Sequence, residues 1–169
     1  MIHTPELIDC ILTDNSLPCF GMDRKEHVTL TNMCMITNGN NVLVQNKRVD
    51  DDFSGITFPG GHVEPHEPVI DAMIRELQEE TGLTVTHPKL VGIKEWMEED
   101  GDRYIVFLYT ADTFSGDLHS SREGEVFWTP LETLLSENCI WHMDSMLKVF
   151  TQEYSELFLA GDDYIPVLK

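Results

Sequence analysis

The stretch GGHVEPHEPVIDAMIRELQEETGL, residues 60–83, carries seven charged side chains, and three of its glutamates, Glu76, Glu79 and Glu80, fall within five positions. Its limits read as those of one amphipathic helix. Pro68 suits a first turn, and Gly82 suits the residue just past the last one. At roughly 100° per residue, Ile70, Met73, Ile74 and Leu77 form an apolar face, with the three glutamates about a quarter turn away. Carboxylates at such spacings repel one another. Arg75, four residues before Glu79, can brace it from the solvent side.

Taken alone, several glutamates on a helix mark a solvated face. These stand at the rim of the apolar face, where a groove can form and where a cation would neutralise them. Hard oxygen ligands suit Mg²⁺, with Mn²⁺ as a substitute, and no His or Cys here favours zinc. Gly60 and Gly61 let the backbone turn sharply and present a bare carbonyl to such a cation. The chemistry this predicts is metal-assisted attack of water on a phosphate chain.

The rest of the chain fits a small metal-dependent enzyme. Its 169 residues suit one domain with a proper core. Eleven basic residues face thirty acidic ones, a formal net charge of −19. Such a surface repels polyanions, which argues against polymeric nucleic acid and anionic membranes as partners. A small polyphosphate substrate would need a cation or a local basic pocket to enter. Cys10, Cys19, Cys34 and Cys139 show neither CxxC pairing nor zinc spacing. No signal peptide and no bilayer-length apolar run is visible, so a soluble cytoplasmic protein is expected.

Residues 1–27 are of mixed polarity and receive no assignment, and the domain is read as 28–169. VTLTNMCMI and NVLVQNKR read as strands around the hairpin signal Asn38-Gly39, followed by the short strand ITF. LVGIKEWM and RYIVFLYTA read as a second hairpin, EVFWT as a brief strand, and Pro130 as the opening of a short helix. DSMLKVFTQEYSELFLA, residues 144–160, reads as a C-terminal amphipathic helix with Met146, Leu147, Phe150, Leu157 and Phe158 available for one face. The expected architecture is α/β: α+β layers, a mixed sheet with helices on both faces. The N-terminal segment and the C-terminal helix leave a homodimer open.

Gly61, five residues, Glu67, seven residues, then Arg75-Glu76-Leu77-Gln78-Glu79-Glu80-Thr81-Gly82-Leu83 reproduces GX5EX7REUXEEXGU at every fixed position. The chain thus resembles the Nudix hydrolases, and TFPGG before the box extends the likeness. The resemblance implies an α/β/α sandwich around a mixed sheet and Mg²⁺-dependent cleavage of a nucleoside diphosphate linked to another group. It implies that Glu76, Glu79 and Glu80 bind metal, with the Gly60 carbonyl as a further ligand. By the same likeness Arg75 orients the glutamates, Glu67 fixes the loop, and Gly61 and Gly82 occupy turns. Glu79 is a candidate general base. Glu123 and Glu125 are candidates for an additional carboxylate outside the box. His66 departs from the glycine that many relatives carry before the first box glutamate, and is strained if that position needs positive φ.

The likeness is nearest to the MutT-like group, which hydrolyses nucleoside triphosphates, oxidised purine forms such as 8-oxo-dGTP included, to monophosphate and pyrophosphate. Lys47 and Arg48 are candidate phosphate contacts, and Asn32 a candidate reader of a purine edge. Phe53, Trp96 and Trp128 are candidate stacking partners. ADP-ribose, nucleotide sugars, dinucleoside polyphosphates and broad house-cleaning activity are the alternatives. ADP-ribose hydrolases of the family commonly carry a proline about sixteen residues past the box, where this chain has Glu98. A non-catalytic binding module is disfavoured because every box glutamate is present. An isoprenoid diphosphate isomerase would need more than the lone Cys34.

Overall fold

The computed structural model describes residues 25–47 and 54–169. The expectations placed on residues 1–24, on Arg48 and on Phe53 lie outside them. Strand β1 (Val28–Asn38) runs through the middle of the sheet. Its Cys34 and Ile36 point to one face and its Met33 and Met35 to the other, and a strand covered on both faces reads as a nearly continuous apolar run.

Two more strands, β5 (Lys89–Met97) and β6 (Arg103–Ala111), extend the sheet on one side, β6 parallel to β1 and β5 antiparallel to β6. On the other side β2 (Asn41–Lys47) returns antiparallel through Gly39-Asn40, with Gly39 at φ 61°. The hairpin therefore turns one residue later than Asn38-Gly39 suggested. β1 and β2 pair only at its mouth, Thr37 with Val42 and Asn38 with Asn41. Beyond that point the chain following β3 (Gly55–Thr57) fills the gap between them. Its first part pairs with β2, Gln45 opposite Thr57. Its second part leans on β1: the Cys34 N–H donates to the Pro59 carbonyl at 3.0 Å and the Asn32 N–H to that of Gly61 at 2.9 Å. β8 (Gly124–Pro130) pairs along the far edge of β2. Two short strands, β4 (Leu83–Thr86) and β7 (Thr113–Gly116), form a separate ladder beside α1 (Val69–Thr81).

α1 packs Met73 and Leu77 against Cys34, Ile36 and Leu43 on one face. α2 (Met143–Phe150) packs Met146, Val149 and Phe150 on the other. Helices on both faces of a mixed sheet match the expected layers. Phe58, buried immediately before Pro59, meets Phe150 edge to face, with ring centroids 4.9 Å apart. Such a pair adds about 1 kcal/mol to the burial of its area, and it ties the loop after β3 to α2.

The C-terminal helix is the main correction. It ends at Phe150, Gln152 takes φ 61°, and the chain then forms β9 (Glu156–Ala160) and β10 (Ile165–Leu168). ELFLA carries Leu157 and Leu159 at a spacing of two, and both are buried as β9 pairs in parallel with β5. Period two also puts Phe158 on the other face from Leu157. The open edge of β5 supplies hydrogen bonds that helical propensity could not outbid. α1 also departs from its expected face. Ile70 is exposed, and the buried arc is Ala72, Met73, Leu77, Glu80 and Thr81. No helix among the described residues is long and apolar enough to cross a membrane.

Candidate active site

The site is built where the Pro59–Val63 loop, held along β1, crosses the C-terminal half of α1. A side chain at Gly60 would run into the backbone of Asn32 and Met33, and one at Gly61 into the Glu76 carboxyl. Glycine is required at Gly60, where backbone meets backbone; at Gly61 the obstacle is the end of the Glu76 side chain, which seats against the bare backbone. The Pro59 and Gly61 carbonyls both accept from β1. Carbonyls alternate along extended chain, so that of Gly60 turns away from β1.

Arg75 organises the acids. Its Nε and NH2 donate to the two Glu67 oxygens at 2.9 and 2.8 Å, and its NH1 donates to Glu76 Oε1 at 2.7 Å. NH2 also donates to the His62 carbonyl at 3.1 Å, and Glu79 Oε2 lies 3.6 Å from NH1. The Arg75 guanidinium holds the Glu67 carboxyl down to about 2, outweighing desolvation, with help from the Glu64 N–H. Paired fork to fork, Glu67 stays ionised and fixes the loop ahead of the helix. His66, beside it, stands at φ 68°, the left-handed conformation in which a histidine is strained.

Glu80 behaves differently. It is 2 % exposed, at the centre of the buried arc rather than beside it. Oε2 accepts from the Gly60 N–H at 2.9 Å, whereas Oε1 is buried with no hydrogen-bond partner. Burial pushes its carboxyl up to about 8, and the neighbouring Glu123 adds to the rise. The Gly60 N–H and Lys47 pull the other way. Lys47 Nζ lies 3.7 Å from Glu123 Oε2. Glu125 is exposed on β8, one residue before Val126, whose side chain faces α1; alternation therefore turns Glu125 to the opposite face. Of the two outside carboxylates, the structure brings only Glu123 to the box.

Glu79 is exposed, and no three of the described His, Cys, Asp and Glu side chains already converge as a ligand set. A cation nevertheless fits. The orphaned Glu80 oxygen is a buried acceptor without a donor, and the surrounding donors are all oxygen. Asn32 lies buried with Oδ1 3.4 Å from the Gly61 N–H, and its Nδ2 has no partner. Gln45, fully buried on β2, has both amide atoms unpartnered. Trp128 packs against Phe114 in the α1-side core, while Trp96 stacks on Tyr104 on the other face. Cys34 is wholly buried and its thiol is pushed up to about 12, which removes it as a nucleophile.

Among curated proteins, the chain is 37 % identical over 75 residues to the uncharacterized Nudix hydrolase YvcI of Bacillus subtilis, covering 41 % of this chain and 48 % of that one. It is 31 % identical over 97 residues to the ADP-ribose pyrophosphatase of Methanocaldococcus jannaschii, covering 54 % and 57 %. It is 25 % identical over 145 residues to the mouse 8-oxo-dGDP phosphatase NUDT18, covering 80 % and 44 %. The chain thus spans about half the length of these relatives. Among solved structures, the MutT protein of Bacillus halodurans superposes with a TM-score of 0.66 at 21 % identity, covering 82 % of this chain and 94 % of that one. Residues 28–150 match the NUDIX domain, with the box at the crossing of loop and helix, and the chain belongs to that family.

Proposed function

We propose that this chain is a Mg²⁺-dependent pyrophosphohydrolase that cleaves nucleoside triphosphates to monophosphate and pyrophosphate. The observation that carries the reading is the arrangement at the crossing: Glu76 held by Arg75 against Gly61, Glu80 buried with one oxygen unpaired, and Glu79 open to solvent. Glu76, Glu79, Glu80 and the Gly60 carbonyl would hold the cation, with Glu123 as the added carboxylate. A bound divalent cation supplies neutralisation of the phosphate charge and a water of lowered pKa.

The protein's own groups divide the remaining work. Arg75 and Glu67 keep Glu76 and the loop in place, so that binding costs little reorganisation. Glu80 is fixed by the Gly60 N–H on one oxygen and offers the other. Glu79 takes the proton of the attacking water at Oε1, the oxygen not turned toward Arg75. Lys47, beside Glu123, supplies a positive charge to a phosphate in an otherwise acidic surface.

The relatives' names pull the substrate two ways, to ADP-ribose and to oxidised guanine nucleotides. Glu98 at the position where ADP-ribose hydrolases carry proline favours the triphosphates. The test incubates the protein and Glu79→Gln with Mg²⁺ and canonical and oxidised nucleoside triphosphates, ADP-ribose, dinucleoside polyphosphates and nucleotide sugars. Release of monophosphate and pyrophosphate, reduced at least about 100-fold in the variant, is expected. Cleavage of ADP-ribose alone would replace the substrate, and no turnover of any compound would overturn the hydrolase reading.

A further inference from the structure

On the α1 side of the sheet, α1 packs on Cys34, Ile36 and Leu43. Toward the start of β1, and across β6, β5, β9 and β10, the same face continues with no described helix over it. Strand register lines up its side chains in rows. Leu30, Ile105, Glu95, Phe158 and Val167 stand side by side on five successive strands. In the next row Val28, Arg103 and Met97 are neighbours, and Ile165 closes the far edge. A third row holds Ile93 beside Glu156. Alternation turns these residues away from the α2-side core, which takes Val106, Leu157 and Leu159 instead. Leu30, Ile105 and Phe158 belong to neither core, and Val28, Met97 and Val167 are exposed, as is Ile165 at 59 %.

The charges within this face are matched. Arg103 NH1 donates to Glu95 Oε2 at 2.9 Å, and its Nε donates to Glu26 Oε2 at 3.0 Å at the margin. Lys169 Nζ lies 3.4 Å from Glu156 Oε1 and 5.5 Å from the centre of the Phe158 ring. Glu95, Arg103, Glu156 and Lys169 therefore cancel, whereas the whole chain carries a formal net charge of −19. A neutral apolar area is where copies of so acidic a chain can meet without repulsion, and a charged partner of either sign finds no net charge on it. Extension of the sheet at β10 is blocked. The Lys169 N–H donates to the Glu156 carbonyl, so alternation turns the amide of residue 166 outward, and Pro166 has no N–H to give. β9 and β10 also lie beyond residues 28–150, so two of the five strands are additions to the matched domain.

We propose that two copies of this chain pack these faces together across a two-fold axis, as the two sheets of a sandwich do. Five strands roughly 4.8 Å apart and three rows of side chains roughly 7 Å apart give a footprint of roughly 500 Å² per copy. The pair buries on the order of 1,000 Å², the lower end of the range for a specific interface. The dimer is accordingly weak and forms at roughly 10 to 100 µM. Arg103 and Glu95 remain partners when water leaves, which limits the cost of covering them.

Sedimentation equilibrium of the full chain, from about 1 to 500 µM and at about 50 and 500 mM NaCl, tests this. The expected result is a monomer–dimer equilibrium that tightens about 3-fold or more with salt, because screening weakens the repulsion between two acidic chains. Ile165→Glu places a charge where the monomer is already open to water, and should weaken the dimer at least about 10-fold. Val167→Lys brings the opposite charge and should do the same, which separates burial of the face from a change in net charge. Circular dichroism and thermal melts check that both variants fold. In a mixture of isotope-labelled and unlabelled chains, the Ile165 and Val167 methyls should show NOEs to the other copy. A monomer at every concentration, a dimer unmoved by both substitutions, or a dimer that salt loosens overturns the proposal. Methyl contacts confined to one chain, to its residues 1–24 for instance, overturn it as well, since the face is then covered by its own chain.

Discussion

Lys94→Met should make the protein more stable. Lys94 is buried, and desolvation lowers it from its ordinary 10.5 to about 8. A drop of that size corresponds to roughly 3 kcal/mol carried against the folded state by the charged form. Below pH 8 the folded and unfolded chains both hold the proton, and the whole cost is present. Between 8 and 10.5 the unfolded chain keeps a proton that the folded chain has released, so stability rises with pH. Above 10.5 both forms are neutral and the cost is gone. Methionine fills nearly the same volume without charge. The variant is therefore expected to gain about 3 kcal/mol at pH 7, roughly 6 to 12 °C in Tm for a chain of this size. Guanidinium unfolding of both proteins at pH 7 and pH 11 checks this, because effects of other titrating groups cancel in the difference. The advantage should shrink toward zero at the higher pH. A variant less stable at pH 7, or an advantage independent of pH, would mean that the ammonium is solvated or paired and would refute the reasoning.

Two changes in the loop before α1 should act in opposite directions. His66→Gly relieves the left-handed backbone and should stabilise by about 0.5 to 1 kcal/mol in denaturant midpoint; a loss would show that the imidazole holds the loop. Gly61→Ala drives a methyl group into the Glu76 carboxyl and should weaken Mg²⁺ binding by calorimetry about 10-fold or more, with the circular dichroism spectrum retained. Binding left intact would show that Glu76 needs no such seat.

The box helix and its leading loop were more legible in the sequence than the setting in which they pack. Arg75 meets Glu67 and Glu76 as the spacing suggests, because all three sit on one helix and its leading loop, where local geometry decides. The sheet strands through β8 were legible from their apolar runs and turns, apart from β4 and β7, whose four-residue stretches are too short to show a pattern. Glu80 was misplaced at the rim because its burial comes from Pro59–Gly61, a segment some twenty residues earlier that the pairing with β1 carries over the helix. β9 was lost for a similar reason. SELFLA is compatible with helix, and only the open edge of β5 decides for strand. Lys94 did leave a signal, since alternation in IKEWM puts it beside Trp96, but a lysine in a strand more often faces water.

The segment carrying Gly60 and Gly61 is a wedge whose two halves are stitched to different strands, the first to β2 and the second to β1. It therefore has the dynamics of a sheet interior. Its amides should exchange with solvent only when the sheet itself opens, and its carbonyl cannot swing toward a cation as a lid would. On the proposed function, affinity for a cation there would be set when the chain folds. Under the same proposal, adaptation to different substrates would be left to the carboxylates that remain exposed, Glu79 on the helix and Glu123 ahead of β8, which can move without disturbing a single strand.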